Sequence, residues 1–86
     1  MITRTFLIAG GNSTALVWDC PTGQRKDISL RLLKRVEQVG FIEPGPVPAL
    51  TMMGNELCIN STLAFASTLG GAGQLRTSGL DALVEY

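Results

Sequence analysis

The sequence predicts an α+β fold, and three observations lead to that prediction. Short segments rich in β-branched and aromatic residues alternate with helical segments in the order β-β-α-β-β-α-β-(β). The first helical segment is amphipathic, whereas the second is almost entirely apolar. The chain has 86 residues, of which 45% are hydrophobic and 16% charged, so residues 1–86 form one domain at most, with marginal stability alone. Because that charged fraction is below the usual quarter, we expect some apolar surface to contact another domain or subunit.

The first two strands are predicted over residues 3–9 and 14–18. Both segments contain β-branched and aromatic residues, and Gly10-Gly11-Asn12 separates them. A Gly-Gly-Asn sequence between two strands favours a hairpin whose turn has positive φ angles. A strand rather than a helix follows the glycines, so this is not a dinucleotide-binding fingerprint.

The first helix is predicted over residues 28–38, after a loop that contains Pro21 and Gly23. Asp27 precedes it, and an Asp side chain is a favoured N-cap because its carboxylate accepts from the free amides of the first turn. One apolar stripe runs along this segment, formed by Ile28, Leu32, Leu33 and Val36.

The remaining elements are two short strands, a second helix and a closing pair of strands. Strands are predicted over residues 39–42 and 49–53, joined by a proline-rich connection. The second helix is predicted over residues 60–69, with Asn60 or Ser61 as its N-cap and Gly70-Gly71 as its end. Because it has almost no polar face, we expect it to be buried nearly all round. Residues 74–86 give one or two strands around Ser78-Gly79.

Composition excludes several classes of function. Seven Lys and Arg balance seven Asp and Glu, whereas a nucleic-acid-binding protein normally has a basic face, so we expect no nucleic-acid partner. The chain has no His and two Cys, too few Cys and His ligands for a tetrahedral zinc site within it unless carboxylates contribute, so we predict no metal site. No apolar stretch approaches the roughly 20 residues that span a bilayer, and no signal peptide is recognisable. We therefore expect a cytoplasmic protein with free thiols and no membrane contact.

Cys58 is the candidate for chemistry, because it lies directly before the second predicted helix. The first amides of a helix are unpaired and carry positive partial charge, so they stabilise a thiolate or bind a substrate carboxylate. A thiol in such a position can act as a base or a nucleophile. The alternative is that Cys58 is simply a small buried apolar residue next to an apolar helix. From the residues alone, both interpretations stay open.

Several motifs together resemble the diaminopimelate epimerase-like superfamily. Residues 10–17 (GGNSTALV) are similar to its first-hairpin motif, and residues 58–64 (CINSTLA) are similar to its Cys-Gly-Asn-(Gly/Ala) motif, with Ile59 at the position of the family Gly. The cofactor-independent histidine racemases of staphylopine-type metallophore biosynthesis are the most similar group. In them, residues 37–43 (EQVGFIE), 54–56 (GNE) and the Ser78-Gly79 turn have similar counterparts in the same order.

This resemblance implies a diaminopimelate epimerase-like half-domain, in which a curved mixed β-sheet wraps around a buried central helix. It also implies racemisation or epimerisation of an amino acid without any cofactor. In this family, one Cys from each half takes part in α-proton transfer, and Cys58 corresponds to one of the pair. The resemblance assigns substrate binding to six further residues, Asn12, Glu37, Gln38, Ile59, Asn60 and Ser61. Asn60 and the amides of residues 59–61 would hold the α-carboxylate.

The same resemblance implies that the chain is the N-terminal part of a two-half enzyme, truncated before its last strands and inactive or nearly so alone. Its partner would be a missing C-terminal half-domain or a second copy of itself. Two alternatives stay open. One is a non-catalytic module that self-associates, for example as a symmetric dimer; the other is an isomerase similar to the phenazine-biosynthesis enzymes, with Glu37 or Glu56 as a carboxylate base.

Overall fold

The computed structural model describes residues 1–8 and 12–86. Within these residues, six strands form one mixed sheet, and one α-helix packs on each face of that sheet. The α+β class and the order of the elements are as predicted. The elements are β1 (Ile2–Ile8), β2 (Asn12–Trp18), α1 (Arg25–Leu32), β3 (Gln38–Glu43), β4 (Ala49–Met52), α2 (Ile59–Leu69), β5 (Gln74–Thr77) and β6 (Val84–Glu85).

The sheet consists of three antiparallel hairpins joined by two parallel crossovers. The strands lie side by side in chain order; β1–β2, β3–β4 and β5–β6 are antiparallel, while β2–β3 and β4–β5 are parallel. Each parallel step contains a helix, as parallel connections usually do. The crossover from β2 to β3 and the crossover from β4 to β5 both move to the next strand in the same direction along the sheet, but β4 runs antiparallel to β2. Because the strand direction is reversed, two crossovers of the same handedness place their helices on opposite faces of the sheet.

Two apolar clusters, one on each face of the sheet, form the core. Successive residues of one strand belong to different clusters, as the pleat requires: Leu16 packs beneath α2, whereas Val17 packs towards α1. The α2 cluster includes Phe65 and contains residues from all six strands. The Cα radius of gyration is 12.0 Å, close to the roughly 12 Å expected of a compact domain of this length.

The predicted bounds of the first helix were wrong at both ends. A 3-10 helix at Thr22–Gln24 leads directly into α1 at Arg25, so Asp27 lies in the first turn rather than at the N-cap. The helix stops at Leu32 because the chain must become extended at Gln38, which pairs with Thr14 in the parallel register. Of the predicted apolar stripe, Ile28, Leu32 and Val36 pack on the sheet, whereas Leu33 is exposed.

The second helix was predicted well in length, but not in burial. It ends before Gly70, whose φ of 64° suits a glycine. Its inner side, with Ala64 and Phe65, is buried, whereas Ile59 and Leu63 on the outer side are 66% and 56% exposed. A single sheet covers only one side of a helix, and α1 lies on the other face of that sheet, so nothing in the described chain covers the outer side.

The predicted hairpin between the first two strands is confirmed by the antiparallel pairing, which extends to Ile8 and Asn12. The predicted turn residues Gly10 and Gly11 lie outside the described residues. Across residues 1–8 and 12–86, neither helix has the length and apolar character needed to cross a bilayer.

Candidate active site

Cys58 is the N-cap of α2. Its backbone is extended, with φ of −122° and ψ of 110°, and its Sγ accepts a hydrogen bond from the N–H of Ser61 at 3.5 Å. Its carbonyl oxygen accepts from the backbone N–H of Thr62 at 3.0 Å and from the Thr62 hydroxyl at 2.7 Å. The prediction of Asn60 or Ser61 as the N-cap was therefore wrong, because the sulfur of Cys58 takes the role of the capping oxygen and α2 begins at Ile59.

A pocket of about 480 Å³ opens beside this thiol. It lies at the end of the sheet where β3 begins and β4 ends, and its lining also includes the start of α2 and residues Ser29 and Leu33 at the C-terminal end of α1. Five of the predicted site residues line it, although they come from two separate segments of the chain: Glu37, Gln38, Cys58, Ile59 and Asn60. The volume falls in the range of roughly 300–1,000 Å³ that is typical of small-molecule sites.

The other two predicted site residues do not line the pocket. Asn12 is half-buried at the start of β2, opposite Ile8. Ser61 is completely buried, and its N–H already donates to the Cys58 sulfur. The amides of Ile59 and Asn60 precede the first intrahelical hydrogen bond, which runs from Thr62 to Cys58, so they are the ones free to meet a ligand.

The first-hairpin motif contacts the site through its Ser and Thr rather than through Asn12. The N–H of Glu37 donates to the Ser13 carbonyl at 3.1 Å and to its hydroxyl at 3.0 Å. The Thr14 hydroxyl, which is fully buried, donates to Gln38 Oε1 at 3.3 Å. These contacts fix the backbone of Glu37 and the side chain of Gln38 where β3 enters the sheet.

The loop that leads into Cys58 is held by the Ser78-Gly79 turn, which the sequence indicated only as a turn. The Ser78 hydroxyl donates to the Glu56 carbonyl at 2.6 Å and accepts from the N–H of Met52 at 3.0 Å. Gly79 has a φ of 76°, and a Cβ at this position would collide with the backbone nitrogen of Leu57. Both residues therefore position the segment that carries Glu56 to the pocket.

The two cysteines lie on different faces of the sheet. Cys58 belongs to the cluster under α2, whereas Cys20 belongs to the cluster under α1, and both are buried free thiols. The Cys20 thiol contacts the Pro21 carbonyl at 3.6 Å and does not line the pocket. Within the described chain, the pocket thus contains one thiol.

Two carboxylates, those of Glu37 and Glu56, belong to the pocket lining, and that lining includes no Lys, Arg or His from the described ranges. In the same part of the chain, no group of three or more His, Cys, Asp or Glu side chains is arranged to hold a metal ion. The mouth is apolar, because four lining residues are between 41% and 66% exposed: Leu33, Met53, Leu57 and Ile59.

No protein-family model matches this sequence, and no curated protein matches it significantly. The geometry of the pocket and the motif resemblance are therefore the observations that bear on its function.

Proposed function

We propose that this chain supplies one catalytic thiol, that of Cys58, to a cofactor-independent amino-acid racemase or epimerase with a diaminopimelate epimerase-like fold. The observation that carries the proposal is the position of Cys58 Sγ, which accepts a hydrogen bond from an amide at the N-terminus of α2 and borders an open pocket. The amide and the positive end of the helix dipole both interact favourably with negative charge on the sulfur. The packing of α2 on a mixed sheet, in one apolar cluster with side chains from all six strands, supports the proposed fold.

The proposed reaction is a transfer of the α-proton. The thiolate of Cys58 forms an S–H bond as the α-C–H bond breaks, and the electron pair stays on the α-carbon, delocalised into the carboxylate. A second acid then delivers a proton to the opposite face of that carbon, which inverts the configuration. No electrons are transferred to or from another molecule, so the reaction needs no oxidant or reductant.

The helix N-terminus also suits the substrate carboxylate. The amides of Ile59 and Asn60 are at the open end of α2, and both residues line the pocket. A carboxylate bound there gains negative charge as the carbanion develops, and fixed amide dipoles stabilise that charge. On the opposite wall, Glu37 and Gln38 would accept hydrogen bonds from the α-ammonium group.

A second thiol must come from outside the described pocket lining, since Cys20 lies on the other face of the sheet. We propose that a second half-domain, or a second copy of this chain, covers the mouth and supplies it. The exposed apolar side chains of Met53, Leu57 and Ile59 at the mouth support such a cover, because water-exposed apolar area is removed when a partner binds.

The competing assignment is an isomerase with a carboxylate base, and it is favoured by the presence of Glu37 and Glu56 in the same pocket. Exchange of the α-hydrogen in D₂O separates the two. It should be measured for the 86-residue chain and for the longest natural polypeptide that contains it, as wild type and as the Cys58→Ser, Glu37→Gln and Glu56→Gln variants. The thiol assignment predicts that only Cys58→Ser abolishes exchange. Loss of exchange in a Glu variant with retention in Cys58→Ser would assign the base to the carboxylate.

A non-catalytic, self-associating module is the second candidate function, and the uncovered side of α2 favours it. Ile59 and Leu63 lie one turn apart on that side and are both more than half exposed. If two copies pack these faces together, light scattering will give twice the monomer mass, and Leu63→Arg will restore the monomer. A wild-type chain that stays monomeric at high concentration would rule this candidate out.

A further inference from the structure

A fully buried hydroxyl near the start of β2 contacts a side chain of the pocket wall. Thr14 is completely buried, and its Oγ1 lies 3.3 Å from Oε1 of Gln38, which lines the pocket. The two residues are Cα partners in the parallel register of β2 and β3. Further along these strands, Leu16 and Ile42 pack in the α2 cluster, so the pleat directs Thr14 and Gln38 to the same face. Cys58 belongs to that cluster, so the Gln38 side chain lies on the face of the sheet that carries the thiol.

The buried hydroxyl determines which end of the Gln38 amide points towards it. A threonine hydroxyl has one donor hydrogen, and Gln38 Oε1 is the acceptor that it meets among the described residues. If the amide were turned round, Nε2 would donate to Thr14 Oγ1, and the hydroxyl hydrogen would be buried without an acceptor. Such a buried, unsatisfied donor is destabilising and rare. Nε2 is therefore directed away from Thr14.

The Nε2 atom of Gln38 is thereby left as a donor in the pocket wall. It has no hydrogen-bond partner within residues 1–8 and 12–86, and, unlike the Oγ atoms of Ser29 and Ser61, it is not closed off from solvent. The Gln38 side chain is half-buried and held at its oxygen, so a ligand meets an N–H group of fixed direction. Oε1 has a second lone pair, which is still available to the α-ammonium group.

We propose that Thr14 is a positioning residue, which holds the Gln38 amide so that Nε2 donates a hydrogen bond to the α-carboxylate of the substrate. This inference rests on the proposed binding of an amino acid beside Cys58. A primary amide carries an acceptor and a donor side by side, and an amino acid carries an ammonium group and a carboxylate on one carbon, so the two can pair at both points. The carboxylate gains negative charge as the α-proton leaves, and a donor that is already in place stabilises that charge. Gln38 thus adds a third donor to the amides of Ile59 and Asn60.

The first test follows the order of the Gln38 side-chain amide by ¹⁵N NMR relaxation in the 86-residue chain. Gln24 and Gln74, both exposed and outside the pocket lining, are the internal references. We expect an order parameter above about 0.6 for Gln38 and values below about 0.6 for the references. Thr14→Val keeps the shape of the side chain without its hydroxyl, so Gln38 should become as mobile as the references, and Thr14→Ser should keep it ordered. A Gln38 amide that is as mobile as the references in the wild type, or equally ordered in Thr14→Val, would overturn the proposal.

The second test measures affinity from the backbone amide shifts of Ile59 and Asn60, with each of the standard L-amino acids as the probe. Gln38→Glu keeps an acceptor for the Thr14 hydroxyl and for the α-ammonium group but loses the donor. We expect it to weaken binding about tenfold, because a carboxylate then faces the substrate carboxylate. Thr14→Val should weaken binding about threefold, because the freed amide must be ordered each time a ligand binds. Thr14→Ser should bind as the wild type does.

The sign of the Gln38→Glu effect decides between a donor and an acceptor. Equal or tighter binding by this variant would mean that Gln38 only accepts from the α-ammonium group, and the proposal would be wrong. The absence of any shift at Ile59 and Asn60 with every amino acid would also overturn it.

The failure of this inference differs from the failure of the proposed function. If both tests give the expected results but no α-hydrogen exchanges in D₂O, the role of Thr14 stands and the racemase proposal fails. If exchange depends on Cys58 but Gln38→Glu binds amino acids as the wild type does, the racemase proposal stands and this inference fails.

Discussion

The backbone N–H of Ser61 donates a hydrogen bond to the Sγ of Cys58 across a distance of 3.5 Å. This single contact caps α2, and it also directs a helix amide dipole at the sulfur, on which the chemical role proposed for Cys58 depends. Ser61 is completely buried, so the contact is shielded from water on the helix side. Cys58 is 8% exposed and belongs to the lining of the pocket.

Substitutions at Cys58 should separate these two roles. Cys58→Ser keeps a side chain that is a favoured N-cap, so we expect nearly unchanged stability. Cys58→Ala removes the cap, and the free energy of unfolding should fall by about 0.5–2 kcal/mol. Urea titrations followed by circular dichroism measure both. An equal loss of stability in the two variants would mean that capping does not explain the position of this residue.

Ser78 should be important for stability although it is remote in sequence from the site. Its hydroxyl joins Met52 to Glu56, so Ser78→Ala removes the partner of a backbone N–H and of a carbonyl. We expect a loss of about 1–3 kcal/mol in the free energy of unfolding. The matched control is Ser67→Ala, because the Ser67 hydroxyl only bonds back to the Ala64 carbonyl in its own helix. The expectation is wrong if both variants unfold at the same urea concentration.

Gly79 should not tolerate a side chain. Its positive φ disfavours other residues, and a Cβ would meet the backbone of Leu57. Gly79→Ala should therefore lower stability by about 1–3 kcal/mol, and the backbone shift should also weaken ligand binding beside Cys58. Gly23→Ala provides the control, because a Cβ there meets no atom within 4 Å. Thermal unfolding compares the two, and similar melting temperatures would contradict the close approach at Gly79.

The fold was largely predictable because its signals are local. Glycine at the end of α2 and β-branched residues in β2 report directly on the conformation of their own segments. The bounds of α1 were not predictable in this way. The Asp27 capping signal is local, whereas the pairing of Thr14 with Gln38, which requires an extended chain there, joins residues 24 positions apart.

The candidate site was predictable only in part, because local sequence signals identify some of its residues and long-range contacts determine the others. Cys58 could be identified because it directly precedes a helix, but its partners in the wall depend on tertiary structure. Ser29 reaches the pocket only because α1 ends near the start of β3, and Glu56 only because Ser78 fixes its loop. No periodicity in the sequence reports on such contacts, so neither residue was a predicted substrate ligand.

Deuterium incorporation at the α-carbon is the most direct measurement of thiol-based proton transfer at Cys58. The longest natural polypeptide that contains these residues is incubated in D₂O with a panel of amino acids, and the loss of the α-proton signal is followed by NMR. We predict exchange of at least one amino acid by the wild type and by Cys20→Ser, and none by Cys58→Ser at unchanged stability. Exchange that persists in Cys58→Ser, or its absence in the wild type for every amino acid, would contradict the proposed role of this thiol.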